Sequence, residues 1–319
     1  MRRTSNNPVL TYGLGLCSWL LLLGLDILSA QGLFAPIYEH FGLRAPHYHA
    51  LIDGAWIVLV ATTLYYIACY YLSETYMLVS KYAIAVAIPL SLGGIIALGR
   101  TFSYELWFYC FFLLGSLWAL YDTYQREYTP HAYLRLGLLF AAMCYIDSRT
   151  LLLLPLWLYW SYAMVSISLR NILAFVLGIV APAMVYALYL LYSSSIEGAL
   201  VAVQDYITPL LSPQWLSLDW GYSWPLVPLM LFLLVAALSY SSGRYQESIR
   251  QRAQGSVLVA SCLYGMLCIP LYGQAMLVLL PLMAGSILVG RGIDQLGLKP
   301  RRIVLALLFA LLLGITLIY

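Results

Sequence analysis

The chain has 319 residues, of which 63% are hydrophobic and only 9% are charged, and its formal net charge is +3. Soluble domains carry roughly 25% charged residues, so this composition excludes an ordinary soluble protein and indicates an integral membrane protein. Because no stretch is both polar and long enough to form a soluble domain, we expect a single membrane domain over residues 1–319.

Helices rather than strands are expected to cross the membrane. The apolar runs are continuous for about twenty residues, whereas the strands of a membrane barrel alternate over about ten. The sequence therefore predicts an all-α fold, a polytopic transmembrane helical bundle of about eleven helices. The predicted helices cover residues 9–34, 51–73, 82–99, 104–121, 132–146, 150–168, 172–192, 225–240, 256–271, 274–290 and 303–318.

The basic residues indicate how these helices thread the membrane, because Lys and Arg accumulate in cytoplasmic loops. With the N-terminus inside, thirteen of the sixteen basic residues fall on the inner side. Only Arg44, Arg100 and Arg149 fall on the outer side. This distribution predicts that the N-terminus is inside and the C-terminus outside.

The longest outer connection, residues 193–224, contains Trp215, Trp220 and Trp224. Indole rings are favoured at the level of the lipid headgroups. We therefore interpret this segment as an amphipathic stretch that lies on the outer membrane surface.

The tripeptide Asp147-Ser148-Arg149 separates two apolar runs and is the first candidate site. Charged residues are costly within a bilayer unless they pair, face an aqueous cavity or lie at a surface. Asp147 and Arg149 can form a local ion pair or an Asx-type turn, or Arg149 can present its planar guanidinium to a phosphate. The flanking helices 132–146 and 150–168 either span the membrane or are partly re-entrant, and the charge pattern is compatible with both.

Two further acids are candidates for chemistry. Asp26 lies well inside the first predicted helix, where it is either a cavity-facing general base or metal ligand, or an acid hydrogen-bonded to a neighbouring side chain. Glu39 lies in the first outer loop near His40, His47 and His49, but their spacing matches no standard zinc pattern. We therefore predict no metal site there.

Several classes of enzyme are disfavoured by the absence of their motifs. The chain contains no P-loop, no GxSxG, no HExxH and no nucleotide-binding fingerprint. We therefore expect neither a nucleotide-driven pump nor a soluble-type hydrolase, we expect no nucleic-acid partner, and the cofactor, if there is one, is unknown from the sequence.

Four apolar runs carry a resemblance: GLLFAAMCY (137–145), LLLLPLWLY (151–159), RNILAFVLGIVAP (170–182) and QAMLVLLP (274–281). Together they resemble a family of uncharacterised multi-spanning membrane proteins of Bacteroidetes. Residues 133–192 are also distantly similar to the middle of GT-C glycosyltransferases, which move sugars from or onto polyprenyl-phosphate lipids. The shared features are the N-inside threading, an acidic first outer loop and a short polar break before a Leu-rich helix.

The likeness to GT-C enzymes implies an envelope protein of the bacterial inner membrane that binds a polyprenyl-phosphate or a similar anionic lipid in an outward-facing cavity. It implies that Asp26 or Glu39 is the general base, that Arg149 and Arg100 neutralise the leaving phosphate, and that Asp147 belongs to the same site. Two other hypotheses stay open. A membrane scaffold with partner membrane proteins would present a small-residue face such as Gly93-Gly94. A transporter would have paired broken helices, of which only one candidate is seen.

Overall fold

The structure is a computed structural model. It describes Gly24 and residues 52–76, 78, 81–97, 103–126, 128–193, 196–211, 226–243, 247–272, 275–295 and seven residues between 303 and 311. These residues are helical apart from short connections and contain no β-strand, which confirms the all-α prediction for this part of the chain. Most of the predicted helix 9–34, the first outer loop and the Trp-rich residues 212–225 lie outside the described residues.

Ten α-helices and one 3-10 helix make up the described ranges before residue 303. In chain order they are α1 (Ile52–Tyr76), α2 (Lys81–Ala97), α3 (Tyr104–Tyr121), α4 (Pro130–Ile146), the 3-10 helix (Ser148–Leu153), α5 (Leu154–Ala163), α6 (Leu169–Ser193), α7 (Ile196–Leu211), α8 (Leu226–Gly243), α9 (Ile249–Tyr272) and α10 (Ala275–Gln295).

Three of the described helices are long and apolar enough to cross a membrane. These stretches are Leu169–Tyr192 in α6, Ile249–Ile269 in α9 and Met276–Asp294 in α10. A shorter apolar helix covers Val227–Ser241 in α8. The finding is compatible with a membrane protein, whereas the threading by eleven helices stays a prediction.

The predicted helix 150–168 is not continuous, and this part of the prediction is wrong. The chain forms the 3-10 helix Ser148–Leu153 and then only ten residues of α-helix in α5. Pro155 explains the break, because proline has no N–H to donate to the carbonyl four residues earlier and its ring collides with that carbonyl. The 3-10 pattern, in which Leu154 N–H bonds to the Leu151 carbonyl, avoids this conflict.

The described residues form two compact units. The first unit comprises those that fall within Met1–Trp107, Asp219–Glu247 and Leu279–Tyr319, and the second comprises those within Phe108–Leu218 and Ser248–Val278. Each unit has its own close helix contacts and its own buried polar groups.

A close helix contact in the second unit joins α4 and α6 at Gly137 and Gly178. A Cβ added at Gly137 would lie 2.2 Å from the Phe175 carbonyl oxygen, and one at Gly178 would lie 2.6 Å from the Leu134 carbonyl oxygen. Backbones can approach this closely only where both helices carry glycine. The two glycines therefore determine the spacing of α4 and α6.

An aromatic cluster extends this contact to α5. The ring centroids of Phe140 and Trp157 lie 5.2 Å apart, edge to face, and those of Trp157 and Phe175 lie 5.7 Å apart. Trp160 stands 4.9 Å from Trp157 and is fully buried. Aromatic pairs in these geometries add to the stabilisation from burial alone.

A buried polar network lies beside the start of α4 and α6. The Ser166 hydroxyl is 2.6 Å from the Tyr133 hydroxyl and 3.2 Å from the Thr123 hydroxyl. The side-chain Nδ2 of Asn171 donates to the Ser166 backbone carbonyl at 2.8 Å, and the side-chain Oδ1 of Asn171 accepts from Thr129 N–H at 3.3 Å. All five residues belong to stretches that the predicted threading assigns to the inner side.

In the first unit, the Gly93-Gly94 pair does not form an exposed face. Both residues are buried, and a Cβ added at Gly94 would meet the Leu282 side chain at 2.4 Å. The pair therefore serves the contact between α2 and α10 within the unit. This observation removes Gly93-Gly94 as the docking surface that the scaffold hypothesis requires.

Arg291 forms a buried ionic cluster in the same unit. Its side chain is 5% exposed, and its Nη1 donates to the Tyr240 hydroxyl at 2.7 Å and lies 3.6 Å from the Glu247 carboxylate. Its Nε donates to the Leu78 carbonyl, and Tyr240 donates to Glu247. The cluster joins three segments that the predicted threading assigns to the inner side.

Candidate functional site

A cavity of about 560 Å³ lies within the second unit, between the last turns of α4, the 3-10 helix, α6 and α7. Its walls are mainly apolar, and they include three tyrosines and four alanines. The lining residues are Ala141, Cys144, Tyr145, Leu151, Ile179, Pro182, Ala183, Tyr186, Ala187, Leu190, Ala202, Val203 and Tyr206. Its size and composition match those of small-molecule sites, which measure about 300–1,000 Å³ and are mostly apolar.

The sequence of α6 explains why this space stays open. Gly178 brings α6 against α4, and Pro182 follows one turn later and removes the N–H that would bond to the Gly178 carbonyl. Beyond that point Ala183 and Ala187, one turn apart, contribute small side chains to the lining, and Tyr186 and Leu190 contribute larger ones. The lining of α6 extends from Ile179 to Leu190, so the cavity begins directly after the glycine contact.

Tyr206 of α7 closes one side of the cavity. Its hydroxyl donates a hydrogen bond of 2.6 Å to the Cys144 carbonyl. This carbonyl lies in the last turn of α4, where carbonyls lack a donor within the helix. The bond therefore connects α7 to the end of α4.

The Tyr206 phenol stays a hydrogen-bond donor at physiological pH. It lies in the predicted outer surface segment, and burial raises its pKa above the ordinary value because the phenolate loses hydration. The negative charge of Asp147 acts in the same direction. The hydroxyl therefore keeps its proton, and the bond to Cys144, throughout the physiological pH range.

Tyr145 and Tyr186 lie at the open side of the cavity. Their rings pack edge to face with centroids 5.5 Å apart, so they connect α4 to α6. Tyr145 is 69% exposed and Tyr186 is 42% exposed. Both phenols can therefore meet the polar end of a molecule whose apolar part lies in the cavity.

Asp147 has a local role in the turn beside the cavity. It ends α4 in an extended conformation and starts the 3-10 helix, and its side chain accepts a hydrogen bond of 3.1 Å from Arg149 N–H. This arrangement is the Asx-type turn that was one of the alternatives from the sequence. It anchors the backbone of Arg149, whose side chain is half-buried.

The 3-10 helix that carries Arg149 is held from two further directions. The Thr150 hydroxyl is 3.2 Å from the Tyr109 hydroxyl, and Thr150 is fully buried. Tyr264 of α9 donates to the Leu152 carbonyl at 2.6 Å. Because Leu151 of the same short helix lines the cavity, Arg149 belongs to an element of the cavity wall.

The other predicted site residues cannot be placed. Asp26, Glu39 and Arg100 all lie outside the described residues, as do the three histidines of the first outer loop. Among the residues that the structure describes, no group of three or more His, Cys, Asp or Glu side chains could hold a metal ion. The structure therefore places Asp147 and Arg149 in the turn that precedes Leu151, although neither is among the lining residues of the cavity, and it leaves the proposed catalytic acids untested.

The sequence reasoning missed Tyr206 and Tyr186. The pairing of Tyr206 with Cys144 joins residues 62 positions apart and leaves no mark in either local sequence. A signal for the α6 wall does exist, since Gly178 and Pro182 stand one turn apart and Ala183 and Ala187, also one turn apart, follow directly.

Comparison of the chain with protein families, with curated proteins and with solved structures finds no match. The geometry of the cavity is therefore the basis on which a function can be assigned.

Proposed function

We propose that the protein is a multi-pass protein of the bacterial inner membrane that binds a polyprenyl-phosphate or a similar anionic lipid in this cavity. The observation that carries the proposal is the mainly apolar cavity of about 560 Å³, whose lining includes Leu151 of the 3-10 helix that also carries Arg149. The cavity offers an apolar space for the chain, and Arg149, two residues before Leu151, would supply the cationic group for the head.

The apolar part of the lipid is matched by the cavity lining. Most of the lining is alanine, leucine, isoleucine, valine and proline, which offer no hydrogen bond, so a ligand that is polar over its whole length would lose its hydration with only the tyrosine phenols in compensation. A hydrocarbon chain has no such cost. The lining therefore favours a lipid chain over a sugar or an ion.

The phosphate is matched by Arg149. A guanidinium presents a rigid fork of N–H donors that fits phosphate oxygens, and its charge is permanent. The Asx turn of Asp147 anchors the backbone from which this side chain extends. In the predicted threading this turn lies on the outer side, which would place the headgroup at the outer surface.

A GT-C-like transfer reaction is the finer part of the proposal. An acceptor hydroxyl attacks the sugar carbon bound to the lipid phosphate, Asp26 or Glu39 takes the hydroxyl proton, and the carbon–oxygen bond to phosphate breaks. Arg149 and Arg100 stabilise the negative charge on the leaving phosphate. The support for these roles is the resemblance and the predicted topology.

Native mass spectrometry of the purified protein tests the lipid. We expect a retained polyprenyl-phosphate in the wild type and its loss in Arg149→Ala. The matched control is Arg135→Ala, because Arg135 is an exposed arginine of α4 outside the cavity lining. If only bulk phospholipid is retained by all three proteins, the lipid proposal is wrong.

The reaction is tested separately in cells. Asp26→Asn and Glu39→Gln should each be compared with the wild type for envelope glycans, at equal protein levels. Unchanged glycans in both variants, together with an unchanged profile in Arg149→Ala, would contradict the enzymatic role without touching lipid binding.

A further inference from the structure

We infer that the end of the second unit opposite to the cavity is a docking surface for the headgroups of anionic phospholipids. This basic surface consists of Arg126, Arg170 and Arg250. The three arginines come from three elements that meet at one turn, the connection of residues 122–129 between α3 and α4. The inference goes beyond the proposed function and does not depend on it.

The connection between α3 and α4 is held by the loop between α5 and α6. Gln125, which has a left-handed φ of 55°, donates its backbone N–H to the Met164 carbonyl at 3.1 Å. The Thr123 hydroxyl belongs to the buried hydroxyl network of the same unit. Because these bonds satisfy polar groups of the turn within the protein, they fix its conformation. The turn that carries Tyr124 and Tyr128 is therefore a defined platform.

Two arginines from other helices lie over the tyrosine rings of this platform. The Cζ of Arg170, in the first turn of α6, is 5.8 Å from the ring centre of Tyr128, and the Cζ of Arg250, in the first turn of α9, is 6.0 Å from that of Tyr124. These distances are those of cation–π contacts. Since the two tyrosines are four residues apart, their Cα atoms are separated by at most about 14 Å. The two guanidinium groups are thus brought to one small area, and Arg126 lies between the two tyrosines in sequence.

The basic surface has a net positive charge. The connection and the first turns of α6 and α9 contain four arginines and two acids, which gives a net charge of +2: Arg126, Arg170, Arg250 and Arg252, with Asp122 and Glu127. Glu127 lies outside the described residues. Arg126 and Arg170 are exposed and form no ion pair with the residues that the structure describes, whereas Arg250 has a further interaction within the protein. The charge available to a ligand is therefore mainly that of Arg126 and Arg170.

Helix stability does not explain these arginines. The positive end of the helix dipole lies at the N-terminus, so the first turn of a helix favours acids and disfavours cations. Yet α6 and α9 have no acid in their first turns and carry Arg170 and Arg250 there. The preference of basic residues for the cytoplasmic side accounts for cations at this end of the unit, but not for their position over two rings of one turn. A bound anion would relieve the repulsion between them.

The exposed apolar side chains next to the arginines indicate a membrane lipid as the source of this anion. Leu169 beside Arg170 is 73% exposed, Ile249 beside Arg250 is 68% exposed, and Tyr128 is 69% exposed. A soluble anion would pair with the arginines and leave these side chains in water, whereas the headgroup region accommodates arginine, tyrosine and aliphatic side chains together. In the predicted threading this end meets the cytoplasmic leaflet, which has a negative surface potential.

The basic surface and the cavity lie at opposite ends of α4. This helix starts directly after the connection, and its residues that line the cavity lie beyond its middle, from Ala141 to Tyr145. Its 17 residues correspond to about 25 Å. One headgroup cannot occupy both places, so the two sites can be tested separately.

Titration of short-chain lipids into the full-length protein, followed by native mass spectrometry, tests the docking surface. Dioctanoyl phosphatidylglycerol has one negative charge, and dioctanoyl phosphatidylcholine has the same chains and no net charge. We expect phosphatidylglycerol to bind at least about tenfold more tightly at low salt, and the difference to decrease at high salt because salt screens exposed charges. Inorganic phosphate at the same concentration should not displace it.

Single substitutions locate the binding. Arg126→Gln and Arg170→Gln should each weaken phosphatidylglycerol binding by about fivefold, the contribution of one arginine near an anionic surface. The matched control is Arg135→Gln. Arg135 is an exposed arginine of α4 with no aromatic or acidic partner among the described residues, and we expect a change below about twofold. Thermal unfolding of each variant verifies that it is folded.

Tyr128→Leu tests whether the ring positions Arg170. The substitution keeps every charge and an apolar side chain but removes the ring. We expect about two- to fivefold weaker binding, the contribution of an exposed cation–π contact, with the salt dependence of the wild type. Arg170→Gln should instead reduce the salt dependence, because it removes a charge.

The same titrations in Arg149→Ala protein separate the basic surface from the cavity. We expect the same losses in this background, and losses that disappear there would place the lipid at the cavity and refute the docking surface. Equal binding of the two lipids by the wild type would refute it as well, and so would equal losses in Arg135→Gln and Arg170→Gln. Displacement of phosphatidylglycerol by inorganic phosphate would show a site for soluble anions and overturn the assignment to lipid.

Discussion

Gly178→Ala should destabilise the protein strongly, although alanine is a better helix former than glycine. The added Cβ would lie 2.6 Å from the Leu134 carbonyl oxygen and 2.9 Å from Gly137 Cα. Carbon atoms in ordinary contact stand about 3.5–4.0 Å apart, so α4 and α6 would have to separate by about 1 Å. Both contacts are with backbone atoms, which cannot rotate away as a side chain can.

The expected cost can be set against the gain in helix propensity. Overpacking a well-packed contact costs about 1–3 kcal/mol, and we expect the upper end here because whole helices must move. Replacing glycine by alanine within a helix contributes only about 0.5–1 kcal/mol in the other direction. The net effect of Gly178→Ala is thus a loss of about 2 kcal/mol in the free energy of unfolding.

Unfolding in mixed detergent micelles with increasing SDS measures this loss. Tryptophan fluorescence is the readout, because Trp157 packs on Phe175 beside the glycine contact. Gly115→Ala is the matched control, since its Cβ would meet only the Leu139 side chain at an ordinary 3.4 Å. This control should be neutral or slightly stabilising.

The double variant Gly137→Ala/Gly178→Ala sharpens the test. Once the first alanine has separated α4 and α6, the second alanine fits into space that is already available. The two losses in the free energy of unfolding should therefore not add. We expect the double variant to lose less than the sum of the single variants by at least about 0.5 kcal/mol. If Gly178→Ala unfolds at the same SDS concentration as Gly115→Ala, the close approach of α4 and α6 is wrong.

Three further predictions concern single side chains. Val165 has a φ of 53° in the turn after α5 and is 65% exposed. Because glycine adopts this left-handed conformation without the cost that valine has, Val165→Gly should raise the free energy of unfolding in SDS by about 1 kcal/mol. The control Val176→Gly, within α6, should lower it. Arg291→Met leaves Glu247 without its cation and should lower the free energy of unfolding by about 3 kcal/mol. Arg135→Met, at an exposed position, should change the unfolding midpoint little. Equal effects of the two substitutions would contradict the buried pair. Ser166→Ala removes the centre of the buried hydroxyl network and should cost about 1–3 kcal/mol, and an unchanged midpoint would contradict that network.

Composition and local pattern were enough for the class of fold and for most helices. The scarcity of charge indicates a membrane environment, where a spanning segment must satisfy its own backbone hydrogen bonds and therefore becomes a helix. The sequence offered the Asx-type turn at Asp147 as one alternative, beside a local ion pair and a phosphate-binding Arg149, because charged residues between two apolar runs have few places to lie. The length of the helix that follows could not be predicted from hydropathy. Pro155 replaces the first turn of α-helix with a 3-10 helix for steric reasons, and steric effects do not change the hydropathy of the run.

Only the tertiary structure decided which side chains meet. The span of α6 is apolar on every side, so no stripe in the sequence distinguishes the face toward α4 from the exposed face. In a bilayer, apolar surface would provide no driving force between helices. The shape of the helix surfaces determines instead which faces pack together: Gly137 and Gly178 allow α4 and α6 to approach closely, and Pro182 lies one turn beyond this contact. The hydrogen bond from Tyr206 to the Cys144 carbonyl, which closes one side of the cavity, could not be predicted from the sequence either, because it depends on how α4 and α7 pack.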